Sequence, residues 1–72
     1  MRVYLELIEV TEAEVADFIR IDVTEWDPRD VEEAIRLLQE HARATYTSYI
    51  LQKHYCYHDE DKPCAVDVVE VR

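Results

Sequence analysis

Between residues 27 and 42, hydrophobic side chains recur at the spacing of an α-helix. The apolar positions of this segment are Val31, Ala34, Ile35, Leu38 and Ala42. They form one stripe, which another part of the chain must cover. Asp27 can accept hydrogen bonds from the free N–H groups of the first turn, and Pro28 suits the first helical position. We therefore predict an amphipathic helix over 27–42.

Strand-like patterns lie on both sides of this helix. The first two alternate from one residue to the next, the third is rich in β-branched and aromatic residues, and the fourth follows a polar reversal at 59–63. The four predicted strands are 2–10, 17–25, 45–58 and 65–71.

Two connecting segments have patterns of their own, one after the first strand and one after the main helix. Thr11 and Glu14 have the spacing of a capping box, which predicts one or two helical turns at 11–16. After the main helix, an alternative interpretation continues the helix beyond Ala42 toward His54 in place of the third strand.

The order of these elements predicts an α+β fold of the type ββαββ. One domain, residues 1–72, forms a four-stranded, mainly antiparallel sheet with the helix on one face. The residues expected beneath the helix are Val3, Leu5, Leu7, Ile19, Ile21, Val23, Tyr49, Leu51 and Tyr55.

A single helix leaves the second face of the sheet without a cover. We predict that Tyr4, Ile8, Phe18 and Ile50 lie there and form an interface with a partner or a second copy. The alternative is ordinary exposed apolar surface, which every protein has. The other residues predicted for this face are Cys56, either Val66 or Val69, and the polar Glu6, Arg20, Asp22, Gln52, His54 and His58.

The charge of −9 is distributed unevenly along the 72 residues. Residues 1–33 contain eleven acidic and three basic residues, residues 34–58 have a net charge of +2, and residues 59–72 have −3. Direct binding to nucleic acid or to an anionic membrane requires a basic surface, so the composition argues against both. It permits a basic protein partner.

The leading functional hypothesis is a non-enzymatic binding protein that engages a basic partner, most plausibly a nucleic-acid-binding complex. Carboxylates spaced along a strand or helix can imitate the charges of a nucleic acid. The alternative is an acidic surface that only keeps a small domain dispersed in water. The predicted contact residues are Glu6, Glu12, Glu14, Asp22, Asp30, Glu32 and Glu33.

In size, acidity and lack of glycine, the chain resembles the anti-restriction and anti-CRISPR inhibitors of phages and mobile elements. That resemblance implies a small inhibitor that blocks a nucleic-acid-handling complex. The sequence contains no phosphate loop, dinucleotide fingerprint or paired-carboxylate motif, and nothing that would orient a catalytic base for Cys56. We therefore expect no enzymatic activity.

A second hypothesis is a zinc- or thiol-dependent regulatory module. His54, Cys56 and His58 alternate along the third strand, and Cys64 follows the reversal. Two His and two Cys are a suitable set of zinc ligands, although alternate residues on a flat strand lie about 7 Å apart and converge only with difficulty. We therefore expect no bound cofactor. The third hypothesis is a structural homodimer.

The two cysteines also permit a disulfide. If Glu60 is at the centre of the reversal, Cys56 lies opposite Cys64, and the same register pairs Lys53 with Asp67, Tyr55 with Ala65 and Leu51 with Val69. We find no signal peptide or membrane-spanning run in the sequence and expect a cytoplasmic protein, in which such thiols stay reduced.

Overall fold

A computed structural model of the protein describes residues 1–12, 16–57 and 61–72. It contains the predicted ββαββ sequence of elements. These are β1 (Arg2–Glu9), β2 (Phe18–Asp22), α1 (Pro28–Thr45), β3 (Tyr49–Cys56) and β4 (Ala65–Val71).

The four strands form one sheet in the order β2-β1-β3-β4, with every neighbouring pair antiparallel. This confirms the predicted α+β fold. Helix α1 ends at Thr45, three residues beyond the predicted end, and β3 begins at Tyr49. The alternative in which the helix continues toward His54 is therefore wrong. The helical connector predicted at 11–16 falls partly on residues 13–15, which lie outside the described residues.

Asp27 caps the start of α1, as predicted. Its backbone is extended, with φ −60° and ψ 139°, and its Oδ1 accepts a hydrogen bond from the backbone N–H of Arg29 at 2.9 Å. Its carbonyl oxygen accepts a second bond from the N–H of Val31 at 3.1 Å. The side-chain bond therefore satisfies an N–H group that has no partner inside the helix, and the carbonyl bond is the first of the regular helical series.

Replacing Asp27 by alanine is expected to lower the free energy of unfolding by about 0.5–2 kcal/mol, because the first turn loses its side-chain acceptor. Urea denaturation followed by circular dichroism measures this change. Asp27→Asn is the matched control, since asparagine caps helices about as well as aspartate. Equal stability of the alanine and asparagine variants would contradict the capping role.

The core lies between α1 and the sheet. Five of the residues predicted beneath the helix are buried, namely Leu5, Leu7, Val23, Tyr49 and Leu51, and they pack with Leu38 and Ala42 of α1. Val3, Ile19 and Ile21 pack against this cluster while remaining partly exposed. Tyr55 lies at its edge, in a groove with Pro28 and Val31. The predicted assignment of residues to this face is confirmed.

The register between β3 and β4 is partly as predicted. Lys53 pairs with Asp67 and Tyr55 pairs with Ala65, but Leu51 pairs with Glu70 instead of Val69. The predicted Leu51–Val69 pair is wrong because a β-bulge lies between Leu51 and Gln52 in the ladder, which places one extra β4 residue there. Beyond the bulge, each β4 side chain lies on the opposite side of the sheet from the one it would occupy in an unbroken ladder.

The chain contains no glycine, and the structure places an aspartate where the backbone is left-handed. Asp61, which precedes β4, has φ 56°. Aspartate is among the few residues that enter this region readily, because its short side chain can bond to nearby backbone groups.

Helix α1 carries charged residues throughout its length. In the part of the chain that the structure describes, no helix combines the length and apolar composition that crossing a membrane requires.

Candidate functional site

The predicted acidic contact residues do not share one surface. Glu12, Asp22, Asp30, Glu32 and Glu33 are exposed, the last three on α1. Glu6 is only 5 % exposed and lies on the sheet face away from the helix. Glu14 lies outside the described residues.

Asp22 is already engaged within the chain. Its Oδ2 accepts a bond from Arg2 at 3.1 Å, and its Oδ1 accepts bonds from the hydroxyl and backbone N–H of Thr24. Hydrogen bonding to Thr24, followed by the nearby Arg2, holds the pKa of Asp22 below its ordinary value. The carboxylate therefore remains charged, but its oxygens already have donors.

Acidic and apolar side chains come together in a surface groove beside the start of α1. The groove has a volume of about 640 Å³ and is lined by Glu25, Trp26, Asp27, Asp30, Glu33, Ala34 and Leu37. Four of these are carboxylates, and none of the described lining residues is Lys or Arg. We call this feature the acidic groove.

The spacing of the α1 residues explains how the acidic groove forms. Asp30, Glu33, Ala34 and Leu37 are three or four residues apart, which places them along one side of the helix. Trp26 precedes the helix and supplies the adjoining apolar surface. Trp26 is 45 % exposed and Leu37 is 55 % exposed, so both large side chains are available to a partner.

One ion pair at the acidic groove reduces its charge. Arg36 contacts Glu33 at 2.5 Å, with both side chains largely exposed, and this bond raises the pKa of Arg36. An exposed pair of this kind is screened by water and contributes little stability. Three further carboxylates in the lining, those of Glu25, Asp27 and Asp30, add to its negative charge.

The face of the sheet away from α1, called the open face, carries the predicted interface residues. Strand pairing places Phe18, Ile8, Ile50 and Val71 in one row across all four strands. Phe18 is 53 % exposed, while Tyr4, Ile8 and Ile50 are partly buried. None of these four side chains is fully buried by the described residues, and the interface with a partner or a second copy stays a prediction.

Of the two β4 residues considered for the open face, Val66 pairs with His54 and lies there. Val68 and Val71 lie there as well, opposite Gln52 and Ile50. Val71 was missed because the expected register had no bulge, whereas Val68 lies before the bulge and has the same alternation as Val66. All three valines are exposed by about half or more of their surface.

Glu6 is at the centre of the open face and makes a polar network. Its carboxylate accepts a bond from Gln52 Nε2 at 2.8 Å and lies 3.2 Å from His54 Nδ1 and 3.5 Å from Arg20 Nε. The Arg20 guanidinium in turn lies 3.8 Å from the centre of the Tyr4 ring. These donors compensate a carboxylate that is almost fully removed from water. Glu6 is therefore an internal anchor of this face.

The predicted metal ligands that the structure describes lie together at one end of the open face. Cys56 Sγ is 3.4 Å from Cys64 Sγ and 3.8 Å from His54 Nε2, and the ligand atoms of all three residues lie within 4.8 Å of one another. His54 and Cys56 are alternate residues of β3, and Cys64 approaches them from across the hairpin. The argument that three alternate residues of one strand rarely converge is not tested, because it includes His58. His58 lies outside the described residues.

The charges of this cluster depend on one another. Hydrogen bonding to the Cys64 sulfur, and then to Glu6, raises the pKa of His54. Hydrogen bonding to Cys64 and burial raise the pKa of Cys56. The sulfur and carboxylate neighbours therefore favour the protonated form of the His54 imidazole more than water does.

Sequence reasoning missed one polar cluster, on the helix side of the sheet. The Glu70 carboxylate accepts four hydrogen bonds, one from the Tyr49 hydroxyl at 2.5 Å, one from Gln39 at 3.1 Å and two from Arg43 at 3.0 and 3.2 Å. The bond from Tyr49, followed by that from Arg43, lowers the pKa of Glu70. The sequence contains one signal for this cluster, since the donors Gln39 and Arg43 lie four residues apart on α1. Their acceptor Glu70 could not be identified, because the bulge decides on which face of the sheet it lies.

Comparison with known proteins adds no family assignment: no protein family, curated protein or solved structure matches this chain.

Proposed function

We propose that this protein is a non-enzymatic binding protein whose acidic groove engages a basic surface on a nucleic-acid-handling complex. The observation that carries the proposal is the composition of the groove. Four carboxylates surround the exposed side chains of Trp26 and Leu37, and no described lining residue is basic.

The two kinds of side chain have different roles in binding. Trp26 and Leu37 offer apolar surface that a partner can remove from water, and tryptophan is among the residues that most often dominate binding energy. The carboxylates attract a basic surface over a distance and orient it before contact. A Lys- or Arg-bearing segment with an apolar side chain fits both requirements.

The net charge of −9 supports a nucleic acid as the competitor. A site that binds phosphates is lined by Lys and Arg, and an acidic protein that occupies it excludes the nucleic acid. Glu12, Asp22 and Glu32 are exposed outside the groove and add to the negative charge of the protein. Glu6 is excluded from the proposed contacts because its carboxylate is buried and bonded within the chain.

The proposal includes a cytoplasmic location, as expected from the sequence. The sulfur atoms of Cys56 and Cys64 are close but not joined. In the proposed location, a reducing compartment keeps such thiols reduced.

Capture of partners from a lysate, followed by affinity measurements on the purified partner, tests the proposal. The Glu33→Lys variant is expected to weaken binding by about tenfold or more, because a like charge then faces the basic partner. Glu40→Lys is the matched control, since it makes the same charge change at an exposed α1 residue that does not line the groove. Circular dichroism checks that both variants are folded.

Salt dependence and competition provide the second part of the test. Binding must weaken as ionic strength rises, because the screening length falls from about 30 Å at 0.01 M to about 3 Å at 1 M salt. The protein must also displace nucleic acid from the partner in a mobility-shift assay. Binding that is insensitive to salt, or equal losses in Glu33→Lys and Glu40→Lys, would refute the groove as the contact surface.

A further inference from the structure

We propose that His54, Cys56 and Cys64 bind one zinc ion at the edge of the open face, with Glu6 as a positioning residue for His54. This site is independent of the acidic groove, which lies beside α1. Two neighbouring strands build it, because His54 and Cys56 belong to β3 and Cys64 directly precedes β4.

The ligand atoms are nearly as close together as those of a tetrahedral zinc site. Bond lengths of about 2.3 Å to sulfur and 2.0 Å to nitrogen require neighbouring ligand atoms to lie about 3.5–3.8 Å apart. The separations are 3.4 Å between the sulfurs and 3.8 Å between Cys56 Sγ and His54 Nε2, and all three ligand atoms lie within 4.8 Å of one another. Small rotations of these side chains are sufficient to bring the three atoms around one ion.

A second observation points to a metal: the buried carboxylate behind the histidine. Glu6 lies 3.2 Å from His54 Nδ1, on the ring nitrogen opposite the one that faces the sulfurs. A histidine that binds zinc typically donates its other N–H to a carboxylate, which fixes the ring and strengthens the ligand. Glu6 is itself held by Gln52 and Arg20, so the carboxylate has a defined position.

The donor set selects the metal by its chemistry. Two thiolates and an imidazole suit zinc, whereas magnesium and calcium prefer oxygen ligands. The double positive charge of zinc balances the two thiolates. A water molecule completes four-coordination.

Binding at this position would link the segment before β4 to β3. Cys64 lies between Asp61, with its left-handed backbone, and the start of β4 at Ala65. An ion shared by Cys56 and Cys64 therefore closes the hairpin at the end where strand pairing stops. We expect zinc to raise the melting temperature, since a ligand that binds only the folded chain stabilises it.

Cobalt titration of the full chain under reducing conditions tests the site. Co²⁺ is expected to give the intense ligand-field bands of tetrahedral coordination and a thiolate charge-transfer band, at one ion per chain, and Zn²⁺ is expected to remove them. Competition with a chelating dye then gives the zinc affinity. The variants are Cys64→Ser, His54→Ala and Glu6→Gln, with His41→Ala as the control for loss of an exposed histidine.

The variants have distinct expected results. Cys64→Ser and His54→Ala each lower zinc affinity by about 100-fold or more, and Glu6→Gln lowers it by about 10- to 100-fold, as is typical for a residue behind a ligand. Glu6→Gln keeps the tetrahedral cobalt spectrum, because all three ligands remain. His41→Ala binds zinc like the unaltered protein. Because Cys64 is exposed, its serine variant tests the site without a change in the core.

Several outcomes overturn the proposal. They are an octahedral cobalt spectrum without a thiolate band, zinc affinity unaffected by Cys64→Ser, and a His41→Ala loss as large as that of His54→Ala. Failure of the reduced protein to bind zinc, together with ready formation of a Cys56–Cys64 disulfide in air, also rejects it and assigns the pair a redox role.

Discussion

Replacing Leu51 by alanine is expected to lower the free energy of unfolding by about 2–5 kcal/mol. Leu51 has no exposed surface and packs in the core with Leu5 and Leu7 of β1. Its truncation removes apolar contacts and leaves a cavity that close-packed neighbours fill only in part. A domain of this size has a total stability of roughly 5 kcal/mol, so the variant should keep at most about 3 kcal/mol and unfold at a clearly lower urea concentration.

Leu37→Ala is the matched control, because it makes the same chemical change at a position that is 55 % exposed. We expect a stability change within about 0.5 kcal/mol. Leu37 lines the acidic groove, so this variant should instead weaken binding to the proposed partner. Urea denaturation of both variants measures the difference. A loss of stability in Leu37→Ala as large as that in Leu51→Ala would contradict the observed position of the core.

The second large effect is expected for Tyr49→Phe, which removes only a hydroxyl. The Tyr49 side chain is fully buried, and its hydroxyl donates to the Glu70 carboxylate at 2.5 Å. A hydrogen bond to a charged group contributes about 1.5–3 kcal/mol, and we expect a loss of that size. Tyr46→Phe is the control, because the Tyr46 hydroxyl bonds Asp17 at an exposed position and should contribute far less.

The same cluster predicts a dependence of stability on pH. The pKa of Glu70 is lower in the folded protein than its ordinary value, first because of Tyr49 and then Arg43. The stability contributed by Glu70 is therefore present above its unfolded pKa and is lost as pH falls through the folded pKa. Glu70→Gln should reduce the acid sensitivity of the melting temperature. An unchanged pH profile in this variant would show that other carboxylates control acid unfolding.

The local pattern of the sequence was sufficient to predict the elements and the two faces of the sheet. Helix α1 follows from an apolar stripe and from the capping chemistry of Asp27 and Pro28. The strands follow from alternation, since side chains two residues apart lie on one face. Burial of Leu5, Leu7 and Leu51 beneath α1 was therefore predictable without tertiary information.

The candidate sites depended more strongly on the tertiary structure than the helix and strands did. Glu6 was predicted as a surface contact, but donors from β2 and β3 make it a buried anchor. The sequence predicted that His54 and Cys56 share a face, whereas the approach of Cys64 depends on the register of the β3–β4 hairpin. The acidic groove is the exception, because its described lining lies entirely within residues 25–37 and follows from helical spacing.

What the amino-acid sequence alone determined is the set of elements, their order and the side chains beneath the helix, because hydrophobic periodicity is a local property of the chain. What only the tertiary structure decided is the β-bulge near Leu51 and the contacts that depend on it. The bulge places Glu70 beside Tyr49 and Arg43, and Val71 on the open face. Such a one-residue shift reflects the combined energy of contacts between distant segments, which no local pattern contains.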